Sequence, residues 1–574
     1  MLSKWKLGRL SSSPGPRLSV LAGSVKGVGL AVATRSPALA DQWLFPGFIE
    51  WPARRVLGAL ATLGAMALAL LAGLYANHRL CDLAPVASIV PPLLLTALLS
   101  QARFVAVERP VIRLWQLIGA LSALYGLAHY PLFPPIPGDT TAAALYALLV
   151  TLWLASLACG VLCFRVPSLA MVPPAFLLWS ALAASRITGL RHDKLLDIAP
   201  LPEIAFCIGL GLAISQVQAK VARGDEGTRE HFARVLLLVA IGIHFANYFW
   251  SAVTKASLDG PLLAWVTQNN PVRLFLVAWD NDHLFFAENP AVFRFLSNVI
   301  DKSHLLTNVL ILSAQALAVA AFFSLPKRLI LLLLTVYDLM HASIIVVAGA
   351  NFWPWILLNV AVGIVVASRD FERPRPLAAA GAALFIVISP HFVNVAWLGW
   401  YDSGANNKLF FEAEDISGRR YYVPTNLFAF YSYPLAHMDY GSPQPETAFS
   451  VGSPSGWVQS YRLFQAGLQC NPAALTQPDS HQLKARPMDP HLDQFVRDYH
   501  HMVLALQRHI GALPYDAYPH HLYIGWGRGR DFGQLDKRDI RAYIYRRESV
   551  CMSWKDGLPV RKILSTAEHR IDVQ

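Results

Sequence analysis

Residues Phe232–Lys255 read FARVLLLVAIGIHFANYFWSAVTK. The run is almost entirely Leu, Ile, Val, Ala and Phe, and a helix of about 24 residues is ~36 Å long, enough to cross a bilayer. His244, Tyr248 and Lys255 sit four and seven residues apart, which places them on one face of that helix. A charge in hydrocarbon costs ~2.5–3.5 kcal/mol even on insertion scales, so such a stripe is first read as a functional site. The structural reading stands beside it. Lys255 lies at the end of the segment, where a lysine can reach the headgroups, and His244 and Tyr248 can be polar groups satisfied between helices.

Composition agrees with a membrane setting. The 574 residues are 55% hydrophobic and 15% charged, with a mean hydropathy of +0.40, values that suit lipid better than a water-soluble core. Net charge is +11. Up to about residue 400, however, the Lys and Arg fall mainly in short loops between apolar segments, where they set topology, so no nucleic acid partner is expected. None of the six cysteines forms a CxxC pair, and no metal site is expected.

Apolar segments recur at about 56–76, 83–100, 112–130, 141–164, 167–185, 197–217, 232–255, 304–325, 329–349, 352–367 and 377–398. The Pro91-Pro92 and Pro173-Pro174 pairs weaken the second and fifth. The expected fold is an all-α polytopic membrane bundle of about 8–11 spans, followed by a C-terminal extramembrane domain that is β-rich or α+β. Arg54, Arg55, Arg103, Arg109, Arg113, Arg165, Lys220, Arg223, Lys327, Arg328, Arg369 and Arg373 share one side if every segment crosses. Only the 186–196 loop, with Arg186, Arg191 and Lys194, clearly breaks that bias. The positive-inside rule therefore makes the N-terminus cytoplasmic and the C-terminal domain periplasmic or lumenal.

The domain division is a basic tail at 1–50, a bundle at 51–400 and an exported domain at 401–574. The acid-free residues 1–40 suit a flexible cytoplasmic tail, with a cleaved targeting segment as the alternative, and Trp43–Trp51 suits the membrane interface. In the C-terminal part, Lys408–Glu414 and Arg419–Val423 alternate polar and apolar residues around Ser417-Gly418, a hairpin pattern. Asp493–Gly511 has helical periodicity, and Ala542–Arg546 and Ser549–Trp554 read as strands. Cys470 and Cys551 can pair in an oxidising compartment or remain two buried thiols.

Further polar positions interrupt the spans. Asp338 and His341, three apart, share a helix face on which a carboxylate can orient an imidazole, or the two can join helices. His192 precedes the sixth segment in the loop that breaks the charge rule, where an exposed loop histidine is the simpler reading.

Tyr248-Phe249, Lys255 seven residues after the tyrosine, and then Trp265 resemble the YF-x-AG-x-x-K…W signature of the vitamin K-dependent γ-glutamyl carboxylases and the related bacterial horizontally transferred transmembrane domain proteins. Ser251-Ala252 stand where that family has Ala-Gly. His341…Phe352 is similar to the family's later histidine-to-phenylalanine helix, and Arg191-His192 to its Asn-His element. The resemblance spans roughly residues 50–400 and implies chemistry at the outer end of a bundle. A lysine would act as base towards a quinol of the vitamin K, menaquinol or ubiquinol type, in a lyase-like (carboxylase-like) reaction on an exported peptide or lipid. Lys255 would be that base, with His192 as its hydrogen-bond partner. Spacing adds His244, Tyr248, Asp338 and His341 as residues lining or supporting the cofactor pocket. A lysine serves as base only as the neutral amine, which an apolar surround favours. Against this enzyme stands a non-catalytic membrane protein, a subunit that anchors or assembles a periplasmic or respiratory complex or a small-solute transporter, in which the polar stripe is structural.

Overall fold

The computed structural model describes residues 53–83, 85–129, 140–188, 200–221, 226–286, 289–321, 326–372, 376–424, 427–428, 441–443, 457–470, 488–510, 531–555 and 557–574. The basic tail, the Trp43–Trp51 piece and His192 lie outside the described residues.

Every apolar segment of the sequence contains a helix. In chain order these are α1 (Ala53–Leu83), α2 (Val90–Leu99), α3 (Arg109–His129), α4 (Thr140–Leu162), α5 (Val172–Thr188), α6 (Pro200–Val221) and α7 (Glu226–Ala256). After two short helices, α8 (Ala264–Gln268) and α9 (Val272–Asp280), come α10 (Pro290–Ala320), α11 (Lys327–Ala348), α12 (Trp353–Ala367) and α13 (Pro376–Ile388). Among the described residues six helical stretches are long and apolar enough to cross a membrane, those of α1, α3, α6, α7, α10 and α11, as in a multi-pass membrane protein. The proline pairs fall in the first turns of α2 and α5, where a missing N–H leaves no helical bond unmade. They start these helices instead of bending them, and α2 is left with 10 residues.

Burial ranks the helices. The most apolar stretch of α7 is 83% buried, against 22% in α10 and 28% in α11. α7 is therefore the central post, and α10 and α11 turn leucine-rich faces outward. Around α7 a continuous core runs from Trp115 and Ile118 of α3 through Phe206 of α6 to Tyr337 of α11, Leu358 and Val362 of α12 and Phe385 of α13.

Beyond α13 the strands are β1 (Tyr401–Asp402), β2 (Ala405–Asp415), β3 (Arg420–Val423), β4 (Trp457–Val458), β5 (Ile540–Lys555) and β6 (Leu558–Asp572), with α14 (Tyr461–Leu468) and α15 (Leu492–Ile510) between them. β2, β3, β5 and β6 form an antiparallel sheet in the order β3-β2-β5-β6. Alternate residues of β2 and β5, including Leu409, Phe411, Tyr543 and Tyr545, form a core with Phe495, Val496 and Tyr499 of α15. The opposite face carries ion pairs such as Arg420–Glu568 and Arg546–Glu568, both at 3.1 Å.

The expected hairpin at Ser417-Gly418 is present, Gly418 taking a φ of +81° in the turn. Ala542–Arg546 and Ser549–Trp554 prove to be one strand, β5, whose pairing with β6 slips at Ser549/Val550, where β6 carries the extra residue Leu564. Its partner β6 is an addition to the sequence reading. Lys555 stands opposite Leu558, and Gly557 between the two strands takes a φ of +76°. Cys470 and Cys551 are a disulfide, Cα–Cα 5.8 Å, which resolves the two alternatives and fastens the end of α14 to β5.

Charge fixes the sheet to the bundle. Arg561 Nε of β6 donates to Asp280 Oδ1 of α9 at 2.6 Å, the buried Lys408 of β2 donates to the Asp280 carbonyl, and Asn406 Nδ2 donates to Asn281 Oδ1 at 3.0 Å. Gly349, φ +66° at the end of α11, lets the His283 backbone pass where a Cβ would stand 2.1 Å from its carbonyl oxygen.

His500 is enclosed between α15 and β5, its Nδ1 3.2 Å from Tyr543 Oη. Burial, reinforced by the neighbouring His501, pulls this imidazole down to about 4 from an ordinary 6.5. The folded state then binds fewer protons than the unfolded chain between those two values, so stability rises with pH across the window and is lost on acidification through it, about 3 kcal/mol in all. Thermal unfolding from pH 7 to pH 4 should show a steeper loss in the wild type than in His500→Gln. Equal pH dependence would contradict this assignment.

Candidate functional site

Two polar rows run along α7. The first is Asn247, Ser251 and Lys255, each four residues from the next and so stacked on one face. All three serve a strap of irregular backbone, residues 394–400, that lies over the end of α7 and leads into β1. Asn247 Oδ1 accepts from Ala396 N at 2.8 Å, Ser251 Oγ donates to Ala396 O at 3.1 Å, and Lys255 Nζ donates to Leu398 O at 2.5 Å. Trp265 Nε1 donates to Trp400 O at 2.8 Å. Irregular backbone near membrane depth persists only where protein satisfies its polar groups or a cavity adjoins it. Both conditions hold here.

The second row, His244 and Tyr248, faces α11 and α12 and meets Asn359 of α12. Asn359 Nδ2 donates to Asp338 Oδ1 at 2.8 Å and to Tyr248 Oη at 3.1 Å. A carboxylate only accepts, so Asp338 fixes which way the amide points, and Asn359 Oδ1 is turned to His244 Nε2 at 2.7 Å. His244 must then carry its hydrogen on Nε2. With Tyr248 accepting from Asn359, its hydroxyl hydrogen is free to go to His341 Nε2, 3.0 Å away. The ring of Tyr248 stacks on Tyr337 with centroids 3.7 Å apart, and Trp355 flanks His244 and Tyr248. Aromatic walls thus hold a directed chain of hydrogen bonds.

The two rows bound one cavity of about 220 Å³. Tyr248, His341 and Trp355 line one part of it, and Lys255, Trp265, Trp400, Asp402 and Trp457 another. Lys255 Nζ lies 5.4 Å from the Trp265 ring centroid and 5.9 Å from that of Trp400, within range of cation–π attraction. Asp402 is buried; Asn269 Nδ2 donates to its Oδ2 at 2.8 Å and Trp400 Nε1 to its Oδ1 at 3.2 Å. Burial pushes the Asp402 carboxyl up, against those hydrogen bonds and the nearby charges of Arg273 and Lys255. Trp457 of β4 stacks on Trp400 with centroids 4.3 Å apart, so the C-terminal region supplies part of the wall.

Of the residues singled out by sequence, Tyr248, Lys255 and His341 line the cavity, and His244 and Asp338 join it through Asn359. Asn359, Asp402, Asn247 and Ser251 are additions. Asn247 and Ser251 were legible as members of a four-residue repeat ending at Lys255. Asn359, a single amide in an apolar helix, and Asp402, beyond the last helix of the bundle, had no spacing to reveal them. Comparisons with protein-family models, curated proteins and solved structures found no match.

Asn359 should therefore be the keystone of the bundle's polar interior. Single interhelical hydrogen bonds in membranes average ~0.6 kcal/mol, but Asn359→Leu removes the one partner shared by an imidazole, a phenol and a carboxylate, which predicts a loss of about 2–3 kcal/mol. A detergent-solubilised Asn359→Leu protein should melt well below the wild type, whereas Val360→Leu on the exposed side of the same helix should not. Equal melting temperatures would contradict the keystone role.

Proposed function

We propose that this protein is a membrane enzyme in which Lys255 acts as a base within the cavity beside α7, with a quinol as the lipid-phase reactant and an exported peptide or lipid as the group modified. The observation that carries the proposal is the placement of Lys255 in the same apolar cavity as Tyr248 and His341. The neutral amine would take the proton of a quinol hydroxyl, becoming ammonium and leaving a quinolate. The Asp402 carboxylate would stabilise the Lys255 ammonium so formed, and the hydroxyl of Tyr248 and the imidazole of His341 would orient the other end of the ring. The residues around the cavity suit a quinol head group: aromatic faces for the ring and hydrogen-bonding groups for two oxygens. Likeness to the vitamin K-dependent carboxylases adds the reaction class to this proposal.

Orientation belongs to the same proposal. Reading the apolar helices as crossings, with the arginine-rich loops inside, puts the N-terminus in the cytoplasm and residues 401–574 in the periplasm or lumen, the compartment that suits the Cys470–Cys551 disulfide. In a background where Cys81, Cys159, Cys163 and Cys207 are replaced, single cysteines at Lys220 and Ser417 test it. An impermeant thiol reagent applied to intact cells should label position 417 and spare 220, and the reverse pattern would refute the orientation.

A second reading has its own support, because Lys255 completes the row that holds the strap. In that reading the protein is a non-catalytic membrane subunit or a solute carrier and Lys255 is structural. Substitution separates the two. Arginine keeps the charge and a donor but does not deprotonate in the physiological range, so Lys255→Arg should abolish base chemistry. Lys255→Met removes the charge from the apolar bundle and should remain folded but inactive. A structural role gives the opposite order, with arginine tolerated and methionine damaging. Both variants would be checked for folding by gel filtration and for complementation of the wild-type phenotype, and full function of Lys255→Arg would exclude the base.

A further inference from the structure

We infer that the occupant of the Lys255 cavity enters sideways from the bilayer, through an opening between α10 and α11, and leaves its hydrocarbon tail between those helices. This rests on the reading of the cavity as a binding site and adds its access route and the physical form of its ligand, a long-chain amphiphile.

Exposure locates the mouth. The cavity's lining residues are buried or half-buried except Ser343 of α11, which is exposed. Half-buried Ile344 and Met340 stand beside it, and Thr307 and Ile311 of α10 face it across the opening. Just outside, Leu306, Leu310 and Leu339 are 63%, 59% and 66% exposed, an apolar surface continuous with the mouth. Leu339 lies one helical turn from Ser343 on the same face.

Depth agrees with entry from lipid. Ser343 is 16 residues from Lys327, the first residue of α11, and Thr307 is 13 from Ala320, the last of α10, which gives ~24 Å and ~20 Å at 1.5 Å per residue. Both helix ends meet at the loop between them. In a hydrocarbon layer ~30 Å thick the mouth therefore opens within the leaflet on the side of the C-terminal sheet. Volume sets the form of the ligand. At about 220 Å³ the cavity falls short of the ~300–1,000 Å³ usual for sites that enclose a whole drug-sized molecule. It takes a head group, so a chain attached to that head must pass out through the mouth. At the mouth the walls are mainly apolar, with Met340, Ile344 and Ile311 beside Thr307 and a Ser343 hydroxyl already bonded within its own helix, and the charged and aromatic hydrogen-bonding groups Lys255, Asp402, Tyr248 and His341 lie inward, the gradient an amphiphile requires.

Photolabelling in phosphatidylcholine vesicles tests this with two probes, a phosphatidylcholine carrying a diazirine near the head-group end of one acyl chain, and a decyl-benzoquinone carrying a diazirine on its ring. Ser343→Trp fills the mouth from an exposed position whose hydroxyl bonds within its own helix, to Met340 O at 2.7 Å. Thr307→Trp does so from the facing helix should the first variant fail to fold, and Ser343→Ala is the control. The inference expects quinone adducts on peptides containing Met340 and Ile344 in the wild type and Ser343→Ala, and their loss in the tryptophan variants. Cavity labelling that persists in a folded tryptophan variant overturns the lateral route while leaving the quinol proposal intact. Labelling by the phospholipid probe alone, blocked by tryptophan, supports the route and overturns the quinol. No cavity label from either probe overturns both.

Discussion

The structure depends on a shortage of water. The strap over the end of α7 is irregular backbone beside an apolar bundle, and its amides and carbonyls have to be satisfied by the protein itself. Asn247, Ser251 and Lys255 do this from a single helix face, while Trp265 takes the Trp400 carbonyl and Asn269 pairs with the backbone N–H and the carboxylate of Asp402. These bonds hold the strap at the end of the bundle, and the cavity is the space left beneath it. A lysine held by a carbonyl and two indole faces, with a buried carboxylate nearby, is a positioned group and not a mobile surface charge.

The same shortage explains the second row. His244, Tyr248, Asp338 and His341 come from two helices, and Asn359 on a third joins them into one directed set of donors and acceptors. Because a carboxylate fixes the amide, and the amide accepts from one histidine and donates to the tyrosine beside the other histidine, the row holds its donors and acceptors in fixed positions along the cavity. The C-terminal region closes the arrangement from the other side, with Trp457 of β4 in the cavity wall and the disulfide holding α14 against β5.

The parts of this architecture that repeat were legible in the sequence. Hydrophobic runs located the helices, because a lipid-facing or core helix needs an apolar surface along its whole length. The alternation of β2 and β3 and the Ser-Gly turn located one hairpin. What escaped depends on contacts between distant residues. β6, with Arg561, Lys562, Glu568, His569 and Arg570, is too polar to alternate cleanly, because it lies along the charged face and pairs with Asp280 and Glu414. The lysine, tyrosine and histidines of the site were visible as ionisable residues out of place in apolar helices. Their organiser, Asn359, was not, because an isolated amide has no period and takes its meaning from Asp338, 21 residues earlier in sequence and on a neighbouring helix.

The central claim is that the space beneath the strap is a ligand site with Lys255 at its polar end. A high-resolution cryo-electron microscopy map of protein purified gently from its native membrane tests this most directly. The account predicts elongated density with its head beside Lys255 and Tyr248 and its tail leaving past Ser343. A map with side chains well resolved but the cavity collapsed, or filled only by isolated waters, would contradict it.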